Sequence, residues 1–147
     1  MPATGMYSEN VEMYLKAIWL LAREDDGRAK TGSISKELDV SPSSVTEMLD
    51  KLQNEGFVKH TKYQGANLTK KGDAYARGIL RKHCVIERFM VDVLKYPEGK
   101  FHDEACEMEH VLSDETEKRL RKLVGQPGTC PDCYDLQKHH CSLLFSG

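Results

Sequence analysis

The nine residues His102 to His110, HDEACEMEH, put two histidines, one cysteine and four acidic residues beside only two apolar ones. A surface helix has no use for a buried thiol, and a core helix does not tolerate four carboxylates. On a helix Cys106, Glu109 and His110 stand at i, i+3 and i+4, so their side chains converge on one patch, and His102 lies one turn earlier on a neighbouring line. Thiolate, carboxylate and imidazole together make a transition-metal donor set. They favour iron, cobalt, nickel, copper or zinc over magnesium and calcium, and the carboxylate keeps manganese acceptable. The plainer alternative is a capped surface helix with one half-buried cysteine, which predicts no second set of ligands. His83 and Glu87 are such a set: they sit four apart on or beside the stripe Ile79, Ile86, Met90 and Val93, where an ionisable pair is costly unless something compensates its lost water.

The elements that position these residues are mainly helical. Glu9 to Arg23 has apolar residues at 11, 14, 15, 18, 19, 21 and 22, a helical period with Ser8 as its cap. A polar loop with two glycines leads to a short amphipathic helix carrying Ile34, Leu38 and Val40. Ser41 before Pro42 is a cap-then-proline helix start, and Gly56 is the matching stop. Val45, Met48, Leu49 and Leu52 form its inward stripe. The next stretch, FVKHTKYQGANLTKKG, alternates in the manner of two strands with Tyr63, Gln64 and Gly65 at the turn, and holds four lysines and no acid. Two short helices, a tight connection and a basic hairpin describe a winged helix-turn-helix. Its outward residues are Ser41, Ser43, Ser44, Glu47 and Lys51 on the recognition helix, with Lys59, Lys62, Tyr63, Lys70 and Lys71 around the wing. Small serines suit close approach to phosphate and lysines supply non-specific attraction, so this is the expected face for double-stranded DNA. A long helix from Asp73 to Tyr96, the His102 to Leu112 helix and a charged helix capped by Ser113 or Asp114 complete the pattern.

The net charge of −2 divides unevenly: residues 28–72 carry eight basic groups against five acidic ones, and the flanks are acidic. No apolar run approaches the roughly 18 to 20 residues a membrane span needs, and the start lacks the layout of a secretory signal, so a cytoplasmic location is expected. Five cysteines do not resemble a secreted disulfide framework and read better as metal ligands or buried thiols. The expected domains are 1–72 (winged helix), 73–125 (helical) and 126–147, a Cys/His-rich tail. In that tail Cys130, Cys133 and Cys141 with His139 or His140 suffice for a structural zinc knuckle, a flexible tail being the alternative.

The stretches EMYLKAIWLL, RKHCVIERFM and HDEACEMEHVLSDE resemble the diphtheria toxin repressor family of iron- and manganese-dependent repressors, with PSSVTEML and KYQGANLTKKG nearer its shorter manganese-regulator branch. The resemblance covers roughly residues 9–125. It implies a homodimer with an N-terminal winged-helix domain and a helical domain that both dimerises and binds metal, acting on operator DNA. It also implies that Met13, which by itself reads as ordinary core beside Ala17 and Leu20, joins Cys106, Glu109 and His110 in a primary regulatory site, and that His83, Glu87 and His102 form an ancillary one. Larger members lend ligands to the ancillary site from an extra barrel domain that has no counterpart here, so that site is expected to be incomplete. The manganese branch has carboxylates where this sequence has Met13, Lys16 and Cys106. The softer donors favour Fe2+ over Mn2+ as co-repressor. The rival reading is a zinc-dependent metalloenzyme built on Cys106, Glu109 and His110 with Glu109 or Glu104 as base, but no H-E-x-x-H or comparable motif is present. An electron carrier using the tail cysteines leaves the basic hairpin unexplained.

Overall fold

The computed structural model describes residues 7–24, 27–62, 64–97 and 101–124. Tyr63 and the tail candidates Cys130, Cys133, His139, His140 and Cys141 lie outside the described residues. The described chain is six helices and one two-stranded hairpin: α1 (Glu9–Glu24), α2 (Thr31–Leu38), α3 (Pro42–Asn54), β1 (Val58–Thr61), β2 (Gly65–Leu68), α4 (Lys70–Asp92), α5 (His102–Met108) and α6 (Asp114–Val124). None of these helices is long and apolar enough to cross a membrane. The fold is mainly α, a winged helix-turn-helix followed by a helical unit. The residues group into two compact units that divide between Arg77 and Gly78, inside α4.

In the first unit, Ser8 caps α1 by accepting from the Val11 amide at 3.2 Å, and Leu15, Ile18 and Trp19 on its inner face are at most 1% exposed. Ile34 of α2, Val45, Leu49 and Leu52 of α3, and Phe57 are fully buried as well. The α2 to α3 turn is made by Asp39, whose left-handed φ of 55° a short polar side chain tolerates. It is tied by Ser35, whose hydroxyl donates to the Val40 carbonyl at 2.5 Å. Ser41 is the N-cap of α3, accepting from the Ser44 amide at 3.1 Å, with Pro42 in the first turn where its missing N–H costs nothing. The hairpin is antiparallel, with Val58 opposite Leu68 and Thr61 opposite Gly65. Ala29, between α1 and α2, exchanges both backbone hydrogen bonds with Ala66 at 2.9 Å. That pairing requires a glycine next door: Gly65 has φ of +80° and a Cβ there would stand 2.5 Å from the Ala29 carbonyl oxygen. Trp19 Nε1 donates to Asp73 at 3.1 Å, which pins the start of α4 to α1.

α4 starts at Lys70, three residues before the expected Asp73. The Thr69 hydroxyl accepts from the Gly72 amide at 3.1 Å, an N-cap that the lysine-rich stretch conceals. It ends at Asp92 instead of running on to Tyr96. In the second unit Ile86 and Met90 of α4 pack with Ala105 of α5 and with Phe101, the residue before that helix, and Val91, Tyr96, Met108 and Leu112 surround them. Ser113 caps α6 by accepting from the Thr116 amide at 3.1 Å. Acidic residues in the first turn of that helix and Arg121 and Lys122 in its last complement its dipole. Lys82 of α4 reaches Asp114 at 3.0 Å, anchoring the start of α6.

Candidate metal centre and nucleic-acid interface

The second unit buries an unusual set of ionisable groups. His83, Glu87 and Glu109 are all 0% exposed. His83 and Glu87 face each other one turn apart on α4, Nε2 to Oε2 3.1 Å. The other ring nitrogen of His83, Nδ1, lies 2.6 Å from Glu109 Oε1. His102, the first residue of α5, sets its Nδ1 3.0 Å from the same Glu87 Oε2. Its Nε2 is 3.5 Å from Cys106 Sγ, one turn further along α5. Glu109 Oε2 in turn lies 3.5 Å from His110 Nε2. A carboxylate only accepts, so every imidazole nitrogen facing one carries either a proton or a metal. Glu87 Oε1 is buried with no hydrogen-bond partner. An orphaned oxygen on a carboxylate that faces two imidazoles is costly by itself and is what a divalent cation would satisfy. The donors of His83, His102 and Cys106 lie within 4.8 Å of one another. On these observations the residues fit a transition metal.

Two expectations about geometry are corrected. The helix expected to carry Cys106, Glu109 and His110 together ends at Met108. The His110 amide bonds to Glu107 O and the Val111 amide to Met108 O, i to i+3 bonds that tighten the chain into a turn. Glu109 is thus the C-cap of the helix, its amide still bonded to the Ala105 carbonyl at 3.0 Å, and His110 falls in the turn that follows, while Cys106 Sγ lies 3.5 Å from His102 Nε2. Met13, on the first unit, does not behave as core: it is 41% exposed, whereas its neighbour Glu12 is buried at 2%. Glu12 accepts from the Tyr75 hydroxyl at 2.5 Å. The role of Glu109 as partner to His83 is not legible in the sequence, because the two are 26 residues apart and no local spacing links them.

On the first unit Ser41, Ser43, Ser44, Glu47 and Lys51 are exposed on α3, and Lys59, Lys62, Lys70 and Lys71 are exposed on and after the hairpin. Ser41 gathers its neighbours, its Oγ lying 2.9 Å from Ser44 Oγ and 3.2 Å from Ser43 Oγ. Lys71 is tied into the fold: its Nζ donates to the Glu55 carbonyl at 2.8 Å and stands 4.7 Å from the Phe57 ring centroid. A groove between the start of α2, α3 and the hairpin is lined by three cations, Arg28, Lys30 and Lys62, and one acid, Asp50, which stands 3.6 Å from His60. Arg28 and Lys30 are two cations that sequence reasoning does not single out, since they precede α2 in a loop with no periodicity. Only the Ala29 to Ala66 pairing brings them beside the wing.

A family model described as the iron dependent repressor N-terminal DNA binding domain matches residues 6–66. A second, the iron dependent repressor metal binding and dimerisation domain, matches residues 69–135. An HTH-type transcriptional regulator of Methanocaldococcus jannaschii is 41% identical over 114 residues, 78% of this chain and 91% of that protein. The iron-dependent repressor IdeR of Mycobacterium tuberculosis is 35% identical over 123 residues, 84% of this chain but 53% of that protein. The solved structure of the manganese regulator SloR superposes with a TM-score of 0.71 at 38% identity, covering 85% of this chain and 58% of that one. The chain thus spans about half the length of the iron-dependent repressors it matches and nearly all of the archaeal regulator. With both family models matched in order, and with the donor cluster and the capped helix each inside the expected unit, the chain belongs to the iron-dependent repressor family typified by the diphtheria toxin repressor.

Proposed function

We propose that this protein is a homodimeric repressor that binds operator DNA when Fe2+, or less favourably Mn2+, is bound. The observation that carries the metal requirement is Glu87, wholly buried between two imidazoles with one oxygen unpartnered. Met13, Cys106, Glu109 and His110 would hold one ion, and His83, Glu87 and His102 a second, as in the family. When bound, the ion supplies positive charge that compensates the buried carboxylates and holds donors from separate elements at fixed distances. The preference for Fe2+ rests on Cys106 and Met13, soft donors that a manganese site does not need. Relatives named for iron and for manganese both match, so the proposed preference rests on donor chemistry alone.

For DNA, α3 presents a serine-rich N-terminal turn whose small side chains permit close approach to the backbone. Arg28, Lys30 and Lys62 supply cations on both sides of the groove that α3 borders. A two-fold dimer must set its two recognition helices about 34 Å apart or at a multiple of that spacing, so a modest reorientation of the winged-helix unit switches binding. The relatives are transcriptional regulators, not enzymes, and a hydrolytic role for Cys106, Glu109 and His110 is not favoured. The tail residues Cys130, Cys133, His139, His140 and Cys141 remain candidate ligands for a separate structural Zn2+. The test is a gel shift against genomic fragments with chelator, Fe2+, Mn2+ and Zn2+. Retardation with Fe2+ and none with chelator is expected; equal retardation under all conditions would overturn the proposal.

A further inference from the structure

The exposed face of α3 carries its polar groups in two different states. In the first turns the hydroxyls are committed: Ser41 Oγ accepts from the Ser44 amide and holds Ser43 Oγ at 3.2 Å and Ser44 Oγ at 2.9 Å, and the Thr46 hydroxyl donates to the Pro42 carbonyl at 3.1 Å. Further along, Asp50 stands 3.6 Å from His60 Nδ1, and Gln53 Oε1 accepts from the His60 amide at 2.7 Å. Glu47 differs. It is exposed, and among the described residues its carboxylate has no hydrogen bond or ion pair. Lys51, at i+4 where a lysine can neutralise a glutamate, is exposed and unpaired among the described residues as well. Ser43 and Ser44 lie one turn before Glu47 and Lys51 one turn after it, so the four share one face of the helix. A carboxylate on a face that meets DNA is repelled by the phosphates, and it weakens binding unless a base edge compensates it.

We propose that Glu47 reads base sequence: its carboxylate accepts from the N4 amino group of a cytosine in the major groove of each half-site and so fixes a C·G pair in the operator. An ionised carboxylate offers acceptors only. Guanine presents N7 and O6 to the major groove and thymine presents O4 and a methyl group, with nothing that donates, so both reject it. Adenine donates from N6, but its N7 acceptor lies beside that group and opposes the second carboxylate oxygen, which is why an amide side chain, donor and acceptor together, suits adenine. Cytosine donates from N4 and has no acceptor beside it on its own ring. Lys51, unpaired with Glu47, stays available to phosphate. In this division of roles metal decides whether α3 docks and Glu47 decides where. The inference rests on the reading of α3 as the recognition helix of a DNA-binding dimer, and its test separates the two.

The test is a selection of binding sites from a randomised double-stranded oligonucleotide pool by the full chain with added Fe2+, Mn2+ or Zn2+, followed by fluorescence anisotropy on single-pair variants of the enriched site. Wild type is expected to enrich a two-fold site with a C·G pair in each half whose replacement by T·A weakens binding on the order of tenfold. Glu47→Gln should move the preference at that pair alone to A·T, the partner of an amide. Glu47→Ala should erase the preference there while tightening binding to unrelated duplex, because the carboxylate that phosphate repels is gone. Both variants change an exposed side chain, and melting temperatures equal to wild type check that α3 is intact. A consensus that is unchanged in Glu47→Gln and Glu47→Ala, or one degraded at every position together, would overturn the inference and leave the repressor proposal standing. A wild-type chain that enriches no sequence with any of these metals would sink the repressor proposal and the reading of Glu47 with it.

Discussion

Glu87 is where the energetics are decided. Its burial costs several kcal/mol unless a cation or a full set of hydrogen bonds compensates, and only Oε2 has partners among the described residues. Metal at about a hundred times its Kd is therefore expected to stabilise the fold by about 2.7 kcal/mol. Two cysteines provide the sharper comparison. Cys106→Ala should raise the metal concentration needed for DNA binding by a large factor, whereas Cys84→Ala, at a buried site that no ligand set includes, should not. Metal-activated fluorescence anisotropy on both variants checks this, and equal activation curves would refute a ligand role for Cys106. At this scale the cysteine and histidines are legible from their types and spacing. Met13 is not: a methionine among apolar helix positions carries no local mark, and only its 41% exposure separates it from the core. The pairing of Glu109 with His83 is equally hidden, because 26 residues separate the two and no local spacing links them.

The elements are legible where a stripe and a cap agree. α1 and α3 have both, and Ser8, Ser41 and Ser113 cap as their sequence contexts imply. The ends of α4 are not, because Thr69 is a cap without an apolar stripe behind it, and because apolar Val93 and Leu94 continue the pattern past the helix end while being about half exposed. Two predictions belong here. Ser44 is the third residue of α3 after its cap, where a glutamate completes a capping box and favours the helix. Ser44→Glu should therefore keep or slightly raise thermal stability while strongly weakening DNA binding, because the new carboxylate faces phosphate. Unchanged metal affinity by calorimetry is expected, and undiminished DNA binding would remove α3 from the interface. Gly65→Ala forces a Cβ into the Ala29 carbonyl at positive φ. It should cost about 1–3 kcal/mol in chemical denaturation, and no loss would mean that the hairpin does not pair as described.

At the scale of the molecule, two units share one helix, with a basic groove in the first and the buried donor cluster in the second. The basic middle of the chain announces the first, and the clustered His, Cys and Glu announce the second. The groove cations contributed by Arg28 and Lys30 arise only from tertiary pairing. Removing one lysine–phosphate interaction should lower the log-log salt slope by about 0.9, so Lys30→Ala with Lys62→Ala should flatten the salt dependence by roughly two such steps. A full slope would place DNA elsewhere.

Metal in the second unit is proposed to license DNA binding by the first. The most direct measurement of that coupling is anaerobic equilibrium binding to a cognate operator fragment, with the chain stripped by chelator and then titrated with Fe2+. Binding should be lost on stripping, restored by Fe2+ in wild type, and not restored in His83→Ala or Cys106→Ala. Operator affinity that is the same in stripped and iron-loaded protein would contradict the coupling.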